Sequence, residues 1–264
     1  MTPFTLDVLK FLAVSIVMIA LATYAIYWIL NDSPISRWLN DSDAVVPSFL
    51  SITAFIFGLT VSTLAGFSFE KHESAISNLI AESSAVDSLI NISTVLPPED
   101  RAQIKSGVKD YLNVVIEKEW PAMNEKDAKN REIALPEFMA LSKTINQIAY
   151  QANQRASIGN ELEAELTIIR HNRKVRQSIA YDTDNIKKWI VIPISSILLL
   201  ISVGIVHLGS IKAMKVSLSI ASLCILTAMT FLYITISPYG MWNPVKPYQL
   251  QESLRMLGAV NSNK

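Results

Sequence analysis

Cysteine, histidine and glycine are scarce in this chain of 264 residues, and its basic and acidic residues are equal in number. The single cysteine, Cys224, cannot form an intrachain disulfide, and its place in an apolar run predicts a buried free thiol. The three histidines, His72, His171 and His207, lie too far apart for metal-ligand spacing, so the sequence predicts no metal and no cofactor. Balanced charge without a basic stripe indicates no nucleic-acid partner.

Charge is absent from four long apolar runs, which are Phe11–Leu30, Val45–Phe69, Ile190–Val206 and Val216–Ser237. An apolar helix of about 20 residues crosses a bilayer core of about 30 Å. The lack of intramembrane Asp, Glu, Lys and Arg argues against a proton pump. It remains compatible with a pore built from hydroxyl groups, backbone and apolar rings.

The first apolar run has two interpretations. Ala20-Leu21-Ala22 is compatible with a signal-peptidase site after an apolar core. Tyr24, Tyr27 and Trp28 extend the run and are typical of an interfacial aromatic belt, which favours a retained membrane helix.

The second run continues without glycine or proline into an amphipathic stretch that ends at Leu96, before Pro97-Pro98. The pattern predicts one long helix that spans the membrane and continues into water. Its polar part is expected to bury one apolar face, made of Ile76, Leu79, Ile80, Val86, Leu89 and Ile90.

The polar block that follows predicts further helices and no strands. One helix starts at Pro98 and stops near Trp120-Pro121, and Ala122–Leu135 is predicted to be a surface loop. Another helix starts at Pro136 and breaks around Ser157–Gly159. Asn160 is expected to cap a fourth helix whose apolar stripe is Leu162, Leu166, Ile169, Val175 and Ile179. Tyr248–Leu257 is predicted to form a last short amphipathic helix.

Basic residues beside the third apolar run favour a cytoplasmic position for the polar block and for both termini. On that side lie Arg170, Arg173, Lys174, Arg176, Lys187 and Lys188. The opposite side carries fewer bases, among them Arg37, Lys212 and Lys215. The chain is therefore predicted to cross a membrane several times with this orientation.

The second membrane helix is the candidate pore helix. Small residues on one of its faces, such as Gly58, Ser62 and Gly66, permit close helix packing, and packing alone is the alternative to a pore. The residues predicted to line a pore are Ser48, Ile52, Phe55, Leu59, Ser62, Thr63 and Gly66. Glu70 and Glu73 are predicted to form a charged collar at the pore mouth, with interfacial anchoring as the alternative.

The sequence lacks the motifs of common enzymes, including phosphate loops, nucleophile elbows and dinucleotide fingerprints. Glu161 and Glu165 share a helix face, but a solvated face explains them better than a cation site. We therefore expect no catalytic residues and no enzymatic activity.

Several loose motifs together resemble the bacterial bestrophin-like domain family. They are Gly66-Phe67-Ser68-Phe69-Glu70-Lys71-His72, Ile80-Ala81-Glu82-Ser83, Leu96-Pro97, Tyr111, Glu119-Trp120 and Pro238-Tyr239-Gly240. The resemblance covers nearly the whole chain. More distantly, the chain is similar to bestrophins, which are homopentameric anion channels with a pore-lining second helix and an apolar neck. The Arg-Trp-Trp-rich segment and the calcium-clasp acidic cluster of bestrophins are not found.

The residue patterns predict an all-α integral membrane protein with four transmembrane helices and a cytoplasmic helical domain inserted between the second and third. The resemblance implies a bacterial inner membrane as its location. We divide the chain into residues 1–69, 70–186, 187–237 and 238–264, the last being a C-terminal tail. The implied function is passive anion conduction by a homo-oligomer, a pentamer first, with lipid and small inorganic ions as its other partners. The neck would fall on Ile52, Phe55, Leu59 and Ser62. The alternative is a non-conducting membrane scaffold that binds a protein partner through its cytoplasmic helices.

Overall fold

The computed structural model describes residues 3–34, 36, 48–125, 132–151, 156–181, 189–240 and 244–259. Within these ranges the regular structure is helical. The α-helices are α1 (Pro3–Asn31), α2 (Ser48–Ile92), α3 (Pro98–Val114), α4 (Trp120–Glu125), α5 (Leu135–Gln151), α6 (Ala156–Ala180), α7 (Val191–Val206), α8 (Ile211–Thr235) and α9 (Tyr248–Ala259). A 3₁₀ turn, Ser93–Val95, follows α2, and a π-helical turn, Val115–Glu119, joins α3 to α4.

The chain divides into two compact units. The apolar unit comprises Met1–Phe69 and Thr183–Ile236, and the amphipathic unit comprises Glu70–Asp182 and Ser237–Lys264. Helix α2 is one continuous helix, and its residues belong to the apolar unit up to Phe69 and to the amphipathic unit from Glu70. This agrees with the sequence, in which the apolar run passes into the amphipathic stretch without interruption.

Among the residues that the structure describes, three helices are long and apolar enough to cross a membrane, over Leu6–Asn31, Phe49–Val95 and Ile211–Thr235. The fourth apolar helix, α7, has 16 residues. At a rise of about 1.5 Å per residue it covers about 24 Å, which is less than a bilayer core of about 30 Å.

The apolar unit is held together by close packing of α1, α7 and α8. Leu30 of α1 packs with Leu199 and Val203 of α7 and with Leu218 of α8. A Cβ atom added to Gly204 would collide with the end of the Leu30 side chain, so a larger residue at this point requires that buried side chain to move.

The amphipathic unit has a core built from α2, α3, α5, α6 and α9. Leu89 of α2, Leu112 of α3 and Ile145 of α5 are fully buried in it. The short helix α9, which was predicted from its amphipathic pattern, contributes Leu250 and Leu257 to the same core.

The Leu-Pro break after α2 ends the helix as expected. Leu96 is extended, and its N–H donates to the Ser93 carbonyl at 3.2 Å. The Arg101 side chain also donates to the carbonyls of Ser93 and Leu96 at 3.3 and 3.4 Å, which links the turn after α2 to the first residues of α3.

The predicted end of the helix that starts at Pro98 is wrong. The helical structure does not stop near Trp120-Pro121, because the π-helical turn after α3 leads directly into α4. Pro121 lies in the first turn of α4, where a backbone N–H would have no helical partner. The predicted loop from Ala122 is therefore helical as far as Glu125, and it contains a turn at 132–134.

The break at Ser157–Gly159 and the cap at Asn160 are also wrong, because α6 already begins at Ala156. A Cβ atom added to Gly159 would lie 3.1 Å from the Ala149 carbonyl oxygen. This glycine therefore permits close contact between α6 and α5 and does not interrupt the helix. The segment before it, residues 152–155, lies outside the described residues, as do residues 37–47, where the second apolar run was predicted to begin.

The predicted buried thiol is wrong as well, because Cys224 is exposed in the single chain. It lies on α8 beside the exposed Leu223, on the face of the helix that does not pack against the rest of the apolar unit.

Candidate functional site

One face of α2 is exposed over its apolar length. Phe55 is 69% exposed, whereas Phe57, two positions away, is 9% exposed. The same exposed face carries the other predicted pore-lining residues that the structure describes, which are Ile52, Leu59, Ser62, Thr63 and Gly66. The side chain of Ser48 lies outside the described residues. The structure therefore places these residues on a single free helix face.

The opposite face of α2 packs within the apolar unit. Phe57 joins the cluster formed by Leu199 and Leu200 of α7, and Leu64 contacts Ile192 of α7 and Leu232 of α8. Because one side of the helix is fixed by this packing, the side that carries Phe55 is available to other molecules.

Serine side chains are buried on α1 and α7, whereas hydroxyl side chains are exposed on α2 and also on α8, at Ser219 and Thr227. In α7 the serines Ser195, Ser196 and Ser202 are buried, and in α1 Ser15 is buried. In α2, by contrast, Ser62, Thr63 and both glycines are exposed, and a Cβ atom added to either glycine would meet nothing within 4 Å. The Thr63 hydroxyl donates to the Leu59 carbonyl at 2.8 Å. This hydrogen bond lowers the free-energy cost of placing a hydroxyl group in an apolar environment.

Below the apolar length of α2, the predicted mouth residues Glu70 and Glu73 are both exposed. Glu73 lines a shallow depression of about 270 Å³ together with Ile76, Ser77 and Ile80. Ile76 and Ile80 were predicted to be buried, which is wrong. The buried strip of this part of α2 runs through Ala75, Leu79, Glu82, Ser83, Ala85, Val86 and Leu89.

A second cluster, which sequence reasoning did not find, lies inside the amphipathic unit around Arg176. Its guanidinium donates to Glu82, from Nε to Oε2 at 3.0 Å and from Nη2 to Oε1 at 3.1 Å. It also donates from Nη1 to Glu119 Oε1 at 2.7 Å. All three side chains are buried. We call the set Glu82, Tyr111, Glu119, Arg173 and Arg176 the buried ion cluster.

The remaining members complete the hydrogen bonding of the two carboxylates. Tyr111 donates its hydroxyl to Glu82 Oε1 at 2.5 Å. Glu119 Oε2 accepts from Arg173 Nη2 at 3.3 Å, from Gln177 at 3.4 Å and from the Ala134 backbone N–H at 3.2 Å. Two carboxylates and two guanidinium groups therefore compensate each other's charge in a site that is closed to water.

The local backbone explains how Glu119 reaches this position. Glu119 is the last residue of the π-helical turn, in which the Trp120 N–H bonds to the Val115 carbonyl. The wider turn shifts the helical register, so that Glu119 and Trp120 are both buried.

Aromatic rings enclose the guanidinium groups. The Trp120 ring lies 5.2 Å from Arg176 Cζ and meets Tyr239 edge-on at 5.6 Å. The Trp120 indole N–H donates to the Val245 carbonyl at 3.0 Å. Phe138 lies 5.8 Å from Arg173 Cζ. The contacts of Trp120 with Arg176 and of Phe138 with Arg173 are of the cation–π type, and the rings cover the guanidinium groups.

The environment shifts two pKa values in the cluster upward. Burial raises the pKa of Tyr111 well above its usual range, and the charge of Glu82 raises it further. Burial lowers the pKa of Arg176, but the charges of Glu82 and Glu119 raise it by more, so the guanidinium stays charged. The phenol of Tyr239 also has a raised pKa, mainly through burial.

The buried ion cluster unites residues that the sequence presented as unrelated. Glu82, Tyr111, Glu119, Trp120 and Tyr239 are motif residues of the family resemblance, although they lie far apart along the chain. Arg173 and Arg176 were interpreted as bases that flank a membrane run. That interpretation is wrong for both, because they are buried ion-pair partners inside the amphipathic unit.

The described part of the chain holds no group of three or more His, Cys, Asp or Glu side chains arranged to bind a metal. Glu161 is exposed, and Glu165 is partly exposed on the same helix. The carboxylates of the buried ion cluster are occupied by arginine, tyrosine and backbone donors, so they have no free lone pairs directed at an open site.

Comparison with known proteins agrees with this architecture. Crystal structures of a bacterial bestrophin homolog from Klebsiella pneumoniae are similar in fold. One has a TM-score of 0.66 at 13% sequence identity, covering 97% of this chain and 99% of that chain. Two others have TM-scores of 0.60 and 0.59 at 15% and 16% identity, with coverage of at least 97% of both chains. No curated protein sequence matches the chain as a relative.

A profile of the bestrophin-like domain matches residues 17–241, which include α2 from its start and all five motif residues around Arg176. The chain belongs to the bestrophin-like domain family.

Proposed function

We propose that the protein is a homo-oligomeric membrane ion channel. It conducts ions passively through a pore lined by α2 and prefers anions to cations. The observation that carries the proposal is the composition of the exposed face of α2. The exposed face of α2 carries hydroxyl side chains and glycines. The exposed face of α1, by contrast, carries large apolar side chains such as Met18 and Leu21. A face that combines Ser62, Thr63 and Gly66 suits a protein neighbour or water better than acyl chains.

The apolar residues on the same face supply a neck. Ile52, Phe55 and Leu59 are each more than half exposed in the single chain and follow one another at helical spacing. Copies of α2 around a common axis would bring these side chains into rings. Apolar rings of this kind gate ion flow by dewetting.

The membrane arrangement that we propose has four spans, formed by α1, the apolar part of α2, α7 and α8. Trp189 and Ile190 precede α7 and lengthen its apolar segment towards the thickness of a bilayer core. The amphipathic unit and both termini would be cytoplasmic, with domain limits at residues 69, 186 and 237. Arg170 and Lys174 are exposed on α6 and support this orientation. Arg173 and Arg176 do not support it, because both are buried.

A pentamer is the assembly that the family resemblance favours. The free face of α2 supports self-association, because an isolated chain would expose hydroxyl groups and glycines to lipid. Native mass spectrometry of the purified protein in detergent gives the number of copies directly, and a monomeric mass would contradict the channel proposal.

The decisive experiment is single-channel recording of the purified protein in planar bilayers, with chloride gradients. We expect a chloride conductance that rises in the Phe55→Ala variant, because the substitution widens the neck. The matched control is Leu21→Ala on α1, where an equally exposed apolar residue is expected to leave conductance unchanged. If neither the natural protein nor Phe55→Ala conducts, the channel proposal is wrong.

A groove on α5 keeps the alternative of a partner-binding scaffold open. It has a volume of about 430 Å³ and is bordered by Met139, Lys143, Asn146 and Tyr150. Tyr150 is 81% exposed, and exposed aromatic and methionine side chains are typical of protein interfaces. Binding of a defined partner that is abolished by Tyr150→Ala, in a protein that shows no conductance, would favour the scaffold.

A further inference from the structure

The apolar unit contains a groove between α1 and α8 with a volume of about 680 Å³. Along α1 it extends from Ile16 to Tyr27, and along α8 from Lys215 to Leu226. At a rise of about 1.5 Å per residue each side measures about 16 Å, which is close to half of a bilayer core of about 30 Å. The groove therefore has the length of one lipid leaflet.

One end of the groove is basic and aromatic, and the rest is apolar. Lys215 is the one charged residue among the described residues that line it, and its ammonium lies 5.2 Å from the Tyr27 ring. Both residues lie near helix ends that lead into interhelical links, where headgroups are found. Lys215 remains exposed, so its charge is accessible to a phosphate.

The middle of the groove does not demand a polar ligand. Thr23 and Ser222 hydrogen-bond to each other through their hydroxyl oxygens at 2.7 Å. Because the two hydroxyls satisfy each other across the helices, an apolar chain can lie over them without leaving either one unpaired. Ile19, Leu218 and Leu226 supply apolar lining on both sides.

From this geometry we propose that the groove binds one phospholipid with an anionic headgroup. Its phosphate pairs with Lys215, and one acyl chain lies between α1 and α8 in the direction of Ile16 and Leu226. The charge of Lys215, the length of one leaflet and the internally paired hydroxyls all match this occupant.

This inference rests on the proposed membrane placement but not on conduction. The test is native mass spectrometry of the full chain, titrated with dioleoyl phosphatidylglycerol or with dioleoyl phosphatidylcholine as the uncharged comparison. We expect tighter binding of phosphatidylglycerol. Lys215→Gln should weaken that binding about fivefold, because one basic residue near an anionic surface contributes about 1 kcal/mol.

The matched control is Lys212→Gln, which removes an exposed charge one turn earlier in α8 but does not line the groove. We expect Lys212→Gln to keep the preference for phosphatidylglycerol. Equal losses in the two variants would mean general attraction to a basic helix end and would overturn the proposal.

A second variant tests the acyl part of the site. Ser219→Phe fills the groove from an exposed position that does not support the core, and circular dichroism checks its helix content. We expect fewer tightly bound lipids of both headgroups. If Ser219→Phe instead changes the mass of the oligomer and leaves the lipid count unchanged, a second copy covers the groove and the proposal is wrong. A protein that binds phosphatidylglycerol in this way but does not conduct would refute the channel proposal alone.

Discussion

Arg176 holds Glu82 through two parallel hydrogen bonds, from Nε at 3.0 Å and from Nη2 at 3.1 Å. This bidentate pair joins α6 to α2 in the interior of the amphipathic unit. The two residues lie 94 positions apart in the chain, so the pair is a long-range tertiary contact. The third nitrogen of the guanidinium reaches Glu119 at the π-helical turn. One side chain thus fixes three segments, and arginine is suited to this because its donors form a rigid fork.

Removing Arg176 should destabilise the protein strongly. Arg176→Met keeps the side-chain bulk but leaves two buried carboxylates without their main partner. Loss of one member of a buried ion pair costs about 3–5 kcal/mol. We expect a decrease of that size in the free energy of unfolding, measured by chemical denaturation of the full chain in detergent micelles.

The control for this change is Arg170→Met, six residues earlier on the same helix. Arg170 also lies over Phe138, at 5.9 Å, but it is exposed. Its loss should cost no more than about 1 kcal/mol. Adding Glu82→Gln to Arg176→Met should restore part of the stability, since Glu119 still pairs with Arg173 and no buried carboxylate is then left without an ion-pair partner. Similar losses in the two single variants would contradict the role that we assign to the buried ion cluster.

Tyr111 makes the stability of the protein sensitive to alkaline pH. Its folded-state pKa lies above the unfolded value of about 10, because burial and Glu82 disfavour the phenolate. The folded chain therefore keeps this proton more firmly than the unfolded chain. The stabilisation is complete below about pH 10 and is lost as pH rises through the folded-state pKa.

Tyr111→Phe removes the hydrogen bond to Glu82 and should cost about 1.5–3 kcal/mol at pH 8, which is the range for bonds to charged groups. Above pH 10 the variant should lose stability less steeply than the natural protein. Denaturation curves at pH 8, 10 and 11 measure both effects. Tyr150→Phe, at a position that is 81% exposed, should show neither. An unchanged slope in Tyr111→Phe would refute the assignment.

Helical periodicity was sufficient to predict most of the amphipathic unit. The break at Pro97-Pro98, the helix start at Pro136 (to within one residue) and the last short helix are confirmed, because proline geometry and apolar spacing are local properties of the sequence. The helix beyond Trp120 was missed for the same reason. Local rules place a stop before Pro121, whereas the π-helical turn that carries the chain onward buries Glu119 and Trp120 through tertiary contacts.

The buried ion cluster could not be predicted from spacing. Glu82 and Arg176 are separated by most of the amphipathic unit, and charged residues on amphipathic helices normally face solvent. The available signal was indirect. Glu82, Tyr111 and the Glu119-Trp120 pair carry the family resemblance, and charged residues that mark a family suggest a shared interior partner.

The misplacement of Ile76 and Ile80 has a related cause. The predicted face was too wide, because Leu79, Val86 and Leu89 are buried whereas Ile76 and Ile80, which lie beside them on the helix, are exposed. The structure buries the strip with Ala75 and Leu79, because that strip also carries Glu82 to Arg176. The buried face of α2 is therefore the face that carries the ion-paired Glu82.

The pore-lining role of α2 remains a prediction.

Gly204 lies where α7 contacts α1. A Cβ atom at this position would strike Leu30 Cδ1 and lie 3.7 Å from Ile26 Cγ2, and Leu30 and Ile26 are both buried. Gly204→Val should therefore lower the free energy of unfolding by about 1–3 kcal/mol, the usual cost of overpacking. The control is Gly258→Val, where an added Cβ meets nothing within 4 Å. Equal effects in the two variants would show that the loss reflects glycine replacement in general and not this packing.

Glu73 provides a test of the proposed pore mouth that does not depend on the neck. If copies of α2 surround a common axis, a ring of Glu73 carboxylates places negative charge in the path of the ions and opposes anion entry. Glu73→Lys reverses this field. We expect the reversal potential in a chloride gradient to move towards the chloride equilibrium potential, and single-channel current to rise at low ionic strength.

The size of that change should fall as salt increases from 0.01 to 1 M, because the Debye length shrinks from about 30 to about 3 Å. The control is Glu163→Lys, an identical charge reversal at an exposed site on α6 that is remote in sequence from α2. A shift in Glu163→Lys as large as that in Glu73→Lys would indicate an effect of net charge and not of position. No shift in Glu73→Lys, in a protein that conducts, would place the mouth of the pore elsewhere and would favour the interfacial-anchor role for this carboxylate.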